Sequence, residues 1–213
     1  MMQTSNADVV EHELAAVAAQ LGLSPEPAAW ERLEQLLELW GRFGRAFNLS
    51  GAIDRAGLLK HVLEGLQVVA LAEKIGWRPG QAWLDVGSGA GFPGLVVASC
   101  LDVRMTLVEP RERRAAFLDL ALNQIGRRDC RVVRGHVDGG RWRPIRGGER
   151  LTAESFDWAS ARAVFAPGVW VEIGRHWVKP GGVVVAHVRV ESPAFVGEVG
   201  RVDGECWSVR GVR

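Results

Sequence analysis

Four glycines and two acids lie where a cofactor could bind. The stretch LDVGSGAGFPG at residues 84–94 follows a strand-forming run and holds four glycines within eight positions. Glycine loses much conformational freedom on folding, so this density is expected where the backbone turns sharply or approaches a ligand closely. The GAGFPG portion satisfies the GxGxxG pattern of dinucleotide-binding proteins, with Glu109 twenty residues beyond Gly89 as a ribose-binding acid.

A longer pattern fits the same residues better. Asp85, Gly87, Gly89 and Gly91 occupy the (D/E)-x-G-x-G-x-G positions of enzymes that bind S-adenosylmethionine. The glycines would let the backbone pass close under the cofactor, and Asp85 would hold the turn or accept from the ammonium group. Glu109 would accept from both ribose hydroxyls. We expect a helical segment before the first strand and no separate substrate domain, which favours this cofactor over a nicotinamide; a tight turn without a ligand is the alternative.

Helices and strands of a layered fold surround these residues. Apolar residues recur at three- and four-residue steps over 9–21 and 28–44, and residues 55–75 continue as a third helix. Beyond residue 80, β-branched runs alternate with helices, which is typical of a parallel sheet covered on both faces. The predicted strands are AWLDV (82–86), MTLVE (105–109), RVVRG (131–135), FDWASA (156–161) and VVVAHV (183–188), with helices near 93–100, 111–125 and 167–178 and a loop at GRWRPIRGGER (140–150).

The sequence therefore predicts an α/β fold with two parts. A helical segment (1–80) packs on a core (81–213) that is a doubly wound, mostly parallel, Rossmann-like sheet. After VVVAHVRV, only CWSVRGVR (206–213) could form a further strand, which indicates a shortened carboxyl end. Ligands of such sheets bind at the carboxyl ends of the strands, where the strand order reverses, so the glycine turn should lie at the site.

Composition argues against several classes of protein. The values of 47% hydrophobic and 24% charged residues are typical of globular domains. No apolar run approaches the roughly 20 residues of a membrane span, and the acidic amino terminus does not resemble a signal peptide. Three separated cysteines predict reduced thiols and a cytoplasmic location. Because the histidines and cysteines lack ligand spacing, we expect no metal.

Basic residues are concentrated in one part of the chain. Twelve arginines lie between residues 104 and 150, whereas residues 1–60 are acid-rich and the formal net charge is only +1. A solvated face explains any one of these arginines. A cluster of them beside a cofactor site would suit phosphates or stacked bases.

Three segments around the glycine turn resemble a known family. RFGRAFNLSGAIDRAGLLKHVLEGL (42–66), WLDVGSGAGFPGL (83–95) and LVEPRERRAAFL (107–118) are similar to the bacterial glucose-inhibited division protein B family, RsmG. The lineup covers about residues 30–190, and its GxGFPG form is far more specific than a bare glycine motif. The resemblance implies a class I methyltransferase that uses S-adenosylmethionine to methylate N7 of one guanine in 16S ribosomal RNA, as free RNA or in the 30S subunit. We expect a monomer.

The resemblance also implies roles for individual residues. Arg162, in SARAVF, matches the arginine of the family's SRAF and would be the catalytic residue near the methyl group. The cofactor site would comprise Asp85, Gly87, Ser88, Gly89, Gly91, Phe92, Glu109, Val137, Asp138 and Arg162. Contacts with RNA would come from Asn48, His61, Arg111, Arg113 and Arg114.

The chain departs from the family pattern at several positions. Ala161 replaces a serine, Lys60 replaces an arginine, and Glu64–Gly65 replaces an Asp–Ser pair. A lysine that usually follows the fifth strand is replaced in the region of His187.

The implied chemistry needs little from the protein beyond alignment. Guanine N7 carries a lone pair and no proton, so its attack on a methyl group requires no general base. The target base could stack on Phe92, Phe165 or Trp170. Three alternatives stay open from the sequence: a related methyltransferase acting on a small molecule or a protein, a family member that binds the cofactor without turnover, and a nicotinamide-dependent oxidoreductase.

Overall fold

The computed structural model describes residues 14–43, 54–145, 149–189, 198–202 and 205–211, with side chains as far as His187. No helix among these residues is long and apolar enough to cross a membrane.

Three helices form the amino-terminal part, as predicted. Helix α1 is described over residues 14–20, α2 spans Pro27–Phe43 and α3 spans Arg55–Ile75. Asp54 caps α3 by accepting from the backbone N–H of Gly57, and Gly76 ends it in the left-handed region at φ 90°. Both features match the residue preferences of helix termini.

Seven strands form one sheet, and five of them correspond to the predicted parallel set. Along the chain the core runs through β1 (Ala82–Val86), α4 (Gly94–Cys100), β2 (Arg104–Val108), α5 (Glu112–Gln124), β3 (Arg131–Val133), β4 (Gly135–Asp138), β5 (Arg141–Pro144), β6 (Phe156–Ala161), α6 (Pro167–Arg175), β7 (Val178–Arg189), β8 (Glu198–Val202) and β9 (Glu205–Gly211). The sheet order is β3-β2-β1-β6-β7-β9-β8, and the first five strands are parallel.

The strand order reverses beside β1, where the site was predicted. Strand β1 pairs with β2 on one side and with β6 on the other. The chain winds outward to β3 and then returns to start the second half at β6. A crevice therefore opens at the carboxyl ends of β1, β2 and β6.

The prediction of a single strand after β7 was wrong. Strands β8 and β9 both follow it, and β9 inserts between β7 and β8, antiparallel to each. Sequence pattern singled out only the β9 residues because the β8 stretch, EVGRV, is short and interrupted by Gly200. The carboxyl end thus completes a seven-stranded sheet.

The loop predicted at residues 140–150 also contains a strand. Strand β5 pairs antiparallel with β4 across a turn formed by Gly139 and Gly140, whose φ angles are 52° and 81°. Two consecutive residues with positive φ are typical of the two-residue turns that match the twist of a hairpin. The DGGR sequence carried this signal.

The helical segment shares its core with the sheet. One apolar cluster joins Trp40 of α2 and Leu66 of α3 to Leu95 of α4 and Leu118 of α5. Helix α3 lies so close to α4 that a Cβ atom added at Gly65 would be 2.5 Å from the Cβ of Val96. The division into a segment 1–80 and a core 81–213 stays a prediction, with the boundary between the end of α3 and the start of β1.

The close packing of α3 on α4 can be tested at Gly65. We expect Gly65→Ala to lower the free energy of unfolding by about 1–3 kcal/mol, because the new methyl group would overlap Val96. The matched control is Gly41→Ala in α2, where no heavy atom lies within 4 Å of the added Cβ. That variant should gain about 0.5–1 kcal/mol from the higher helix propensity of alanine. Urea denaturation measures both, and equal responses would contradict the packing.

Candidate functional site

A cleft of about 470 Å³ opens where the strand order reverses. Its wall consists of the turn after β1, the tip of β2 with the start of α5, part of β4, the turn after β6, and His61 of α3. Backbone forms much of the wall along the glycine turn. The predicted site thus lies where the topology of a doubly wound sheet places ligands.

Three glycines of the turn have a backbone conformation that residues with a side chain rarely adopt. Gly87, Gly89 and Gly91 have φ angles of 70°, 57° and 97°. A Cβ at Gly87 would lie 2.3 Å from a methyl carbon of Val164, so the turn after β6 rests directly on it. A Cβ at Gly89 would have no neighbour nearer than 3.7 Å, so the bare backbone there faces the open cleft.

Glu109 ties the tips of β1 and β2 together. Its side chain lies in the cleft wall and the residue is 3% exposed. One carboxylate oxygen accepts from the N–H of Gly89 at 3.0 Å, and the other accepts from the N–H of Arg111 at 2.9 Å. Each carboxylate oxygen can accept more than one hydrogen bond, so both retain acceptor capacity for a ligand.

Asp85 does not line the cleft, so its side chain does not lie where a direct contact with a cofactor would place it. Side chains alternate along β1, and Asp85 shares the face of Trp83, which belongs to the cluster beneath α4. Its Oδ1 accepts from the Ser160 hydroxyl at 2.7 Å, and its Oδ2, without a hydrogen-bond partner, lies 2.8 Å from where a Cβ of Gly94 would be. The carboxylate thus joins β1 to β6 beneath α4, and both predicted roles of Asp85 stay predictions.

Ser88 and Gly91 also support the turn. The Ser88 hydroxyl donates to the backbone oxygen of Asp85 at 2.9 Å, although the residue still lines the cleft. Gly91 is outside the lining, and its added Cβ would overlap Leu95 and approach Leu118. The missing side chain of Gly91 thus lets α4 and α5 pack under the turn, and its assignment to the cofactor site stays a prediction.

On strand β4 the structure separates two predicted neighbours. Val137 lines the cleft together with its neighbour His136. Asp138 is exposed, lies outside the cleft lining, and pairs with Arg143 across the hairpin at 2.8 Å. The carboxylate of Asp138 thus engages the hairpin strand β5, which was predicted to be a loop, and its assignment to the cofactor site stays a prediction.

Aromatic rings link the amino-terminal helices to the cleft. Phe92 lies in the cleft wall and stacks on Trp40, with ring centroids 4.2 Å apart, while its centroid is 4.9 Å from that of His61. The Trp40 indole donates to the backbone oxygen of Ala90 at 2.7 Å. Helices α2 and α3 thus hold the glycine turn from behind.

Of the other two aromatic residues considered for stacking, one lies in the cleft. Phe165 lines it and stacks on Trp170 at a centroid distance of 5.8 Å. Trp170 is buried, and its indole donates to the backbone oxygen of Val185 at 2.8 Å. Trp170 supports Phe165 and is not available to a base.

Arg162 lies in the cleft wall within a cluster of charged and titratable groups. Its guanidinium contacts the carboxylate of Glu64, and Nη2 is 3.0 Å from Nδ1 of His61. The same His61 nitrogen is 3.1 Å from the Glu64 carboxylate. Burial of Glu64 raises its pKa, but the hydrogen bond with His61 and the charge of Arg162 outweigh this and hold the pKa below its ordinary value. Glu64 is therefore a carboxylate at neutral pH.

Sequence reasoning missed the part played by Glu64. It noted the residue only as a departure from the family pattern. The spacing from His61 to Glu64 is i, i+3, which places both on one face of a helix. That spacing was the available signal.

The predicted RNA contacts are only partly brought together. Arg111, Arg114 and His61 line the cleft, whereas Arg113 is exposed outside the lining. Asn48 lies outside the described residues. Among the residues the structure covers, no group of three histidines, cysteines or acids could hold a metal ion.

Comparison with known proteins identifies the family. The sequence model of GidB, described as rRNA small subunit methyltransferase G, matches residues 29–191. This chain belongs to that family. A member from Ralstonia nicotianae, named ribosomal RNA small subunit methyltransferase G, is 30% identical over 100% of this chain and 91% of its own length. One of the same name from Neisseria meningitidis is 29% identical, covering 90% of this chain and 84% of its own.

A solved structure shows the same fold. A putative S-adenosyl-L-methionine-dependent methyltransferase from Methanococcus maripaludis superposes with a TM-score of 0.54 at 10% identity, covering 83% of this chain and 91% of its own. The predicted family, the Rossmann-like methyltransferase fold and the methyltransferase class are therefore confirmed for this RsmG-family chain.

The buried position of Asp85 predicts a pH-dependent stability. Burial raises the pKa of Asp85 to about 6, above its ordinary value of 3.8. Between about pH 4 and 6 the folded protein binds this proton more tightly than the unfolded chain, so stability falls as the pH rises through that window. Asp85→Asn carries no such proton. We expect its free energy of unfolding, relative to the unsubstituted protein, to rise by about 2–3 kcal/mol between pH 4 and pH 7. Urea denaturation at each pH measures this, and a constant difference would contradict it.

Proposed function

We propose that this protein methylates N7 of one guanine in small-subunit ribosomal RNA, with S-adenosylmethionine as the methyl donor. The observation that carries the proposal is Glu109, a carboxylate in the cleft wall that also fixes the bare backbone at Gly89. Family membership and the position of the cleft at the strand-order reversal support the same conclusion. We further propose that it acts as a monomer in the cytoplasm.

The cleft fits a nucleoside cofactor. Glu109 presents acceptor capacity to ribose hydroxyls, and the backbone at Gly89 can be approached closely because glycine has no Cβ, with the Arg114 guanidinium lying beside it. Val137 and His136 of β4 supply an apolar and a planar surface suited to a base. Asp85, buried beneath the turn, would act by holding the turn in shape.

Methyl transfer to N7 requires alignment rather than proton removal. The cofactor, when bound, supplies an electrophilic methyl group on a sulfonium sulfur. N7 offers a lone pair and bears no proton, so the cleft needs no base, and its task is to hold the acceptor in line. The carbonyl oxygen O6 lies beside N7 on the same edge of guanine and accepts hydrogen bonds. In our proposal Arg162 donates a hydrogen bond to O6 on this edge, and the guanine ring stacks on Phe165.

The charges around the cleft suit an RNA substrate. Arg111 and Arg114 stand at its wall at the start of α5, and Arg113 is exposed nearby. Guanidinium groups bind phosphates and stack on bases, so this edge can hold the strand that carries the target guanine.

The RNA assignment is tested in cells. Mapping of N7-methylguanine in small-subunit RNA, with and without the gene, should reveal one guanine that loses its methyl group in the deletion strain. Restoring the gene should restore the modification, and a gene encoding Glu109→Gln should restore much less. An unchanged map would overturn the RNA assignment and favour a small-molecule or protein substrate.

The cofactor role of Glu109 is tested in vitro. Glu109→Gln replaces one acceptor oxygen with an amide, so it cannot accept from both Gly89 and Arg111. We expect the affinity for S-adenosylhomocysteine, measured by calorimetry, to fall by about tenfold or more. Glu112→Gln, an exposed acid three residues along and outside the cleft lining, is the control and should bind normally. Equal affinities for all three proteins would disprove the ribose assignment.

A further inference from the structure

We propose that Glu64 of helix α3 is a positioning residue that holds Arg162, and through it the turn after β6, in the geometry of the cleft. Only the kinetic consequences of this inference rest on the proposed function. Glu64 does not line the cleft. It acts through a side chain that does.

The contact joins two distant parts of the chain through buried groups. The side chain of Glu64 is 6% exposed and that of Arg162 is 21% exposed, and the two are in direct contact. Without Glu64, the long side chain of Arg162 could rotate out of the cleft wall, because it starts at a turn that is exposed to solvent. A buried carboxylate restricts it strongly, since removing one member of such a pair leaves the other charge uncompensated.

The turn after β6, which begins at Arg162, contains a strained backbone conformation. Ala163, the next residue, has a φ of 56°, which costs free energy for a residue with a side chain. Val164 then presses a methyl group against Gly87, and Phe165 enters the cleft wall. Anchoring Arg162 therefore fixes the residues that shape the wall on the β6 side.

Glu64 is itself held rigidly. Its neighbour Gly65 allows α3 to pack directly on Val96 of α4, so the backbone at Glu64 has little freedom. The groups that face its carboxylate are His61, Arg162 and His187, and together they hold its pKa below the ordinary value against the effect of burial. The carboxylate thus has a defined place beside the Arg162 guanidinium.

His61 shares the arrangement through one nitrogen. Nδ1 can donate to Glu64 only when it carries a proton, and it can accept from Arg162 only when it does not, because a guanidinium has no acceptor. For a neutral ring the contacts with Glu64 and Arg162 are therefore alternatives, and both place His61 beside this ion pair. A charge-removing substitution at Glu64 should release both cleft residues.

The kinetic test compares Glu64→Gln with Glu64→Asp and with Glu73→Gln, an exposed acid on the same helix that serves as the matched control. With saturating cofactor and small-subunit RNA, we expect kcat of Glu64→Gln to fall by about 10- to 100-fold. The affinity for S-adenosylhomocysteine should change by less than about threefold, because the hydrogen bonds of Glu109 with Gly89 and Arg111 do not involve Glu64. Glu64→Asp, which keeps the charge, should recover part of kcat, and Glu73→Gln should match the unsubstituted protein.

A double-substitution cycle tests the route through Arg162. If Glu64 acts by holding Arg162, then Glu64→Gln should have little further effect on kcat in a protein that already carries Arg162→Gln. Full additivity of the two effects would overturn the proposal. So would an unchanged kcat in Glu64→Gln.

Backbone dynamics test the anchor independently of activity. The NMR order parameters of residues 163–165 should be lower in Glu64→Gln than in Glu73→Gln, with little change elsewhere in the sheet. This measurement decides the proposal even if the protein proves to methylate another substrate. Unchanged order parameters at these residues would overturn it, whereas failure of RNA methylation with lowered order parameters would overturn only the proposed function.

Discussion

The hydrogen bonds that Glu109 accepts from the backbone of Gly89 and Arg111 join the two strand tips on which the cleft depends. The glycine turn has few side chains with which to hold itself, so its shape must come from outside. Glu109 supplies that restraint from β2, and the hydroxyl of Ser88 supplies it within the turn by donating to the backbone oxygen of Asp85. A charged acceptor is effective here because its hydrogen bonds are stronger than those between neutral groups.

The amino-terminal helices complete the site rather than merely accompany it. Trp40 of α2 binds the turn at Ala90 and stacks on Phe92, and α3 brings His61 and Glu64 to Arg162. One wall of the cleft is therefore built from residues far apart in sequence. Such a wall forms only after the helices have packed on α4, which links the stability of the helical segment to the geometry of the site.

Local features of the fold could be predicted because they rest on local physics. Periodicity identified α2 and α3, β-branched runs identified the strands of the parallel sheet, and the glycine pattern located the turn. The predictions failed where pairing depends on distant partners. Strand β8 is recognised only by its place beside β9, and β5 only by its pairing with β4, although the Gly139–Gly140 turn was a usable signal.

The sequence by itself determined the family, the class of fold and the location of the cleft, because a turn with glycines at fixed spacing between a strand and a helix can form in few ways. Only the tertiary structure decided which acids reach the cleft. Asp85 and Glu109 both lie at strand tips, but the alternation of side chains along β1 turns Asp85 toward α4, whereas Glu109 faces the open crevice. The same holds for Glu64: its spacing from His61 indicates a shared helix face, but only the tertiary structure brings Arg162 to it.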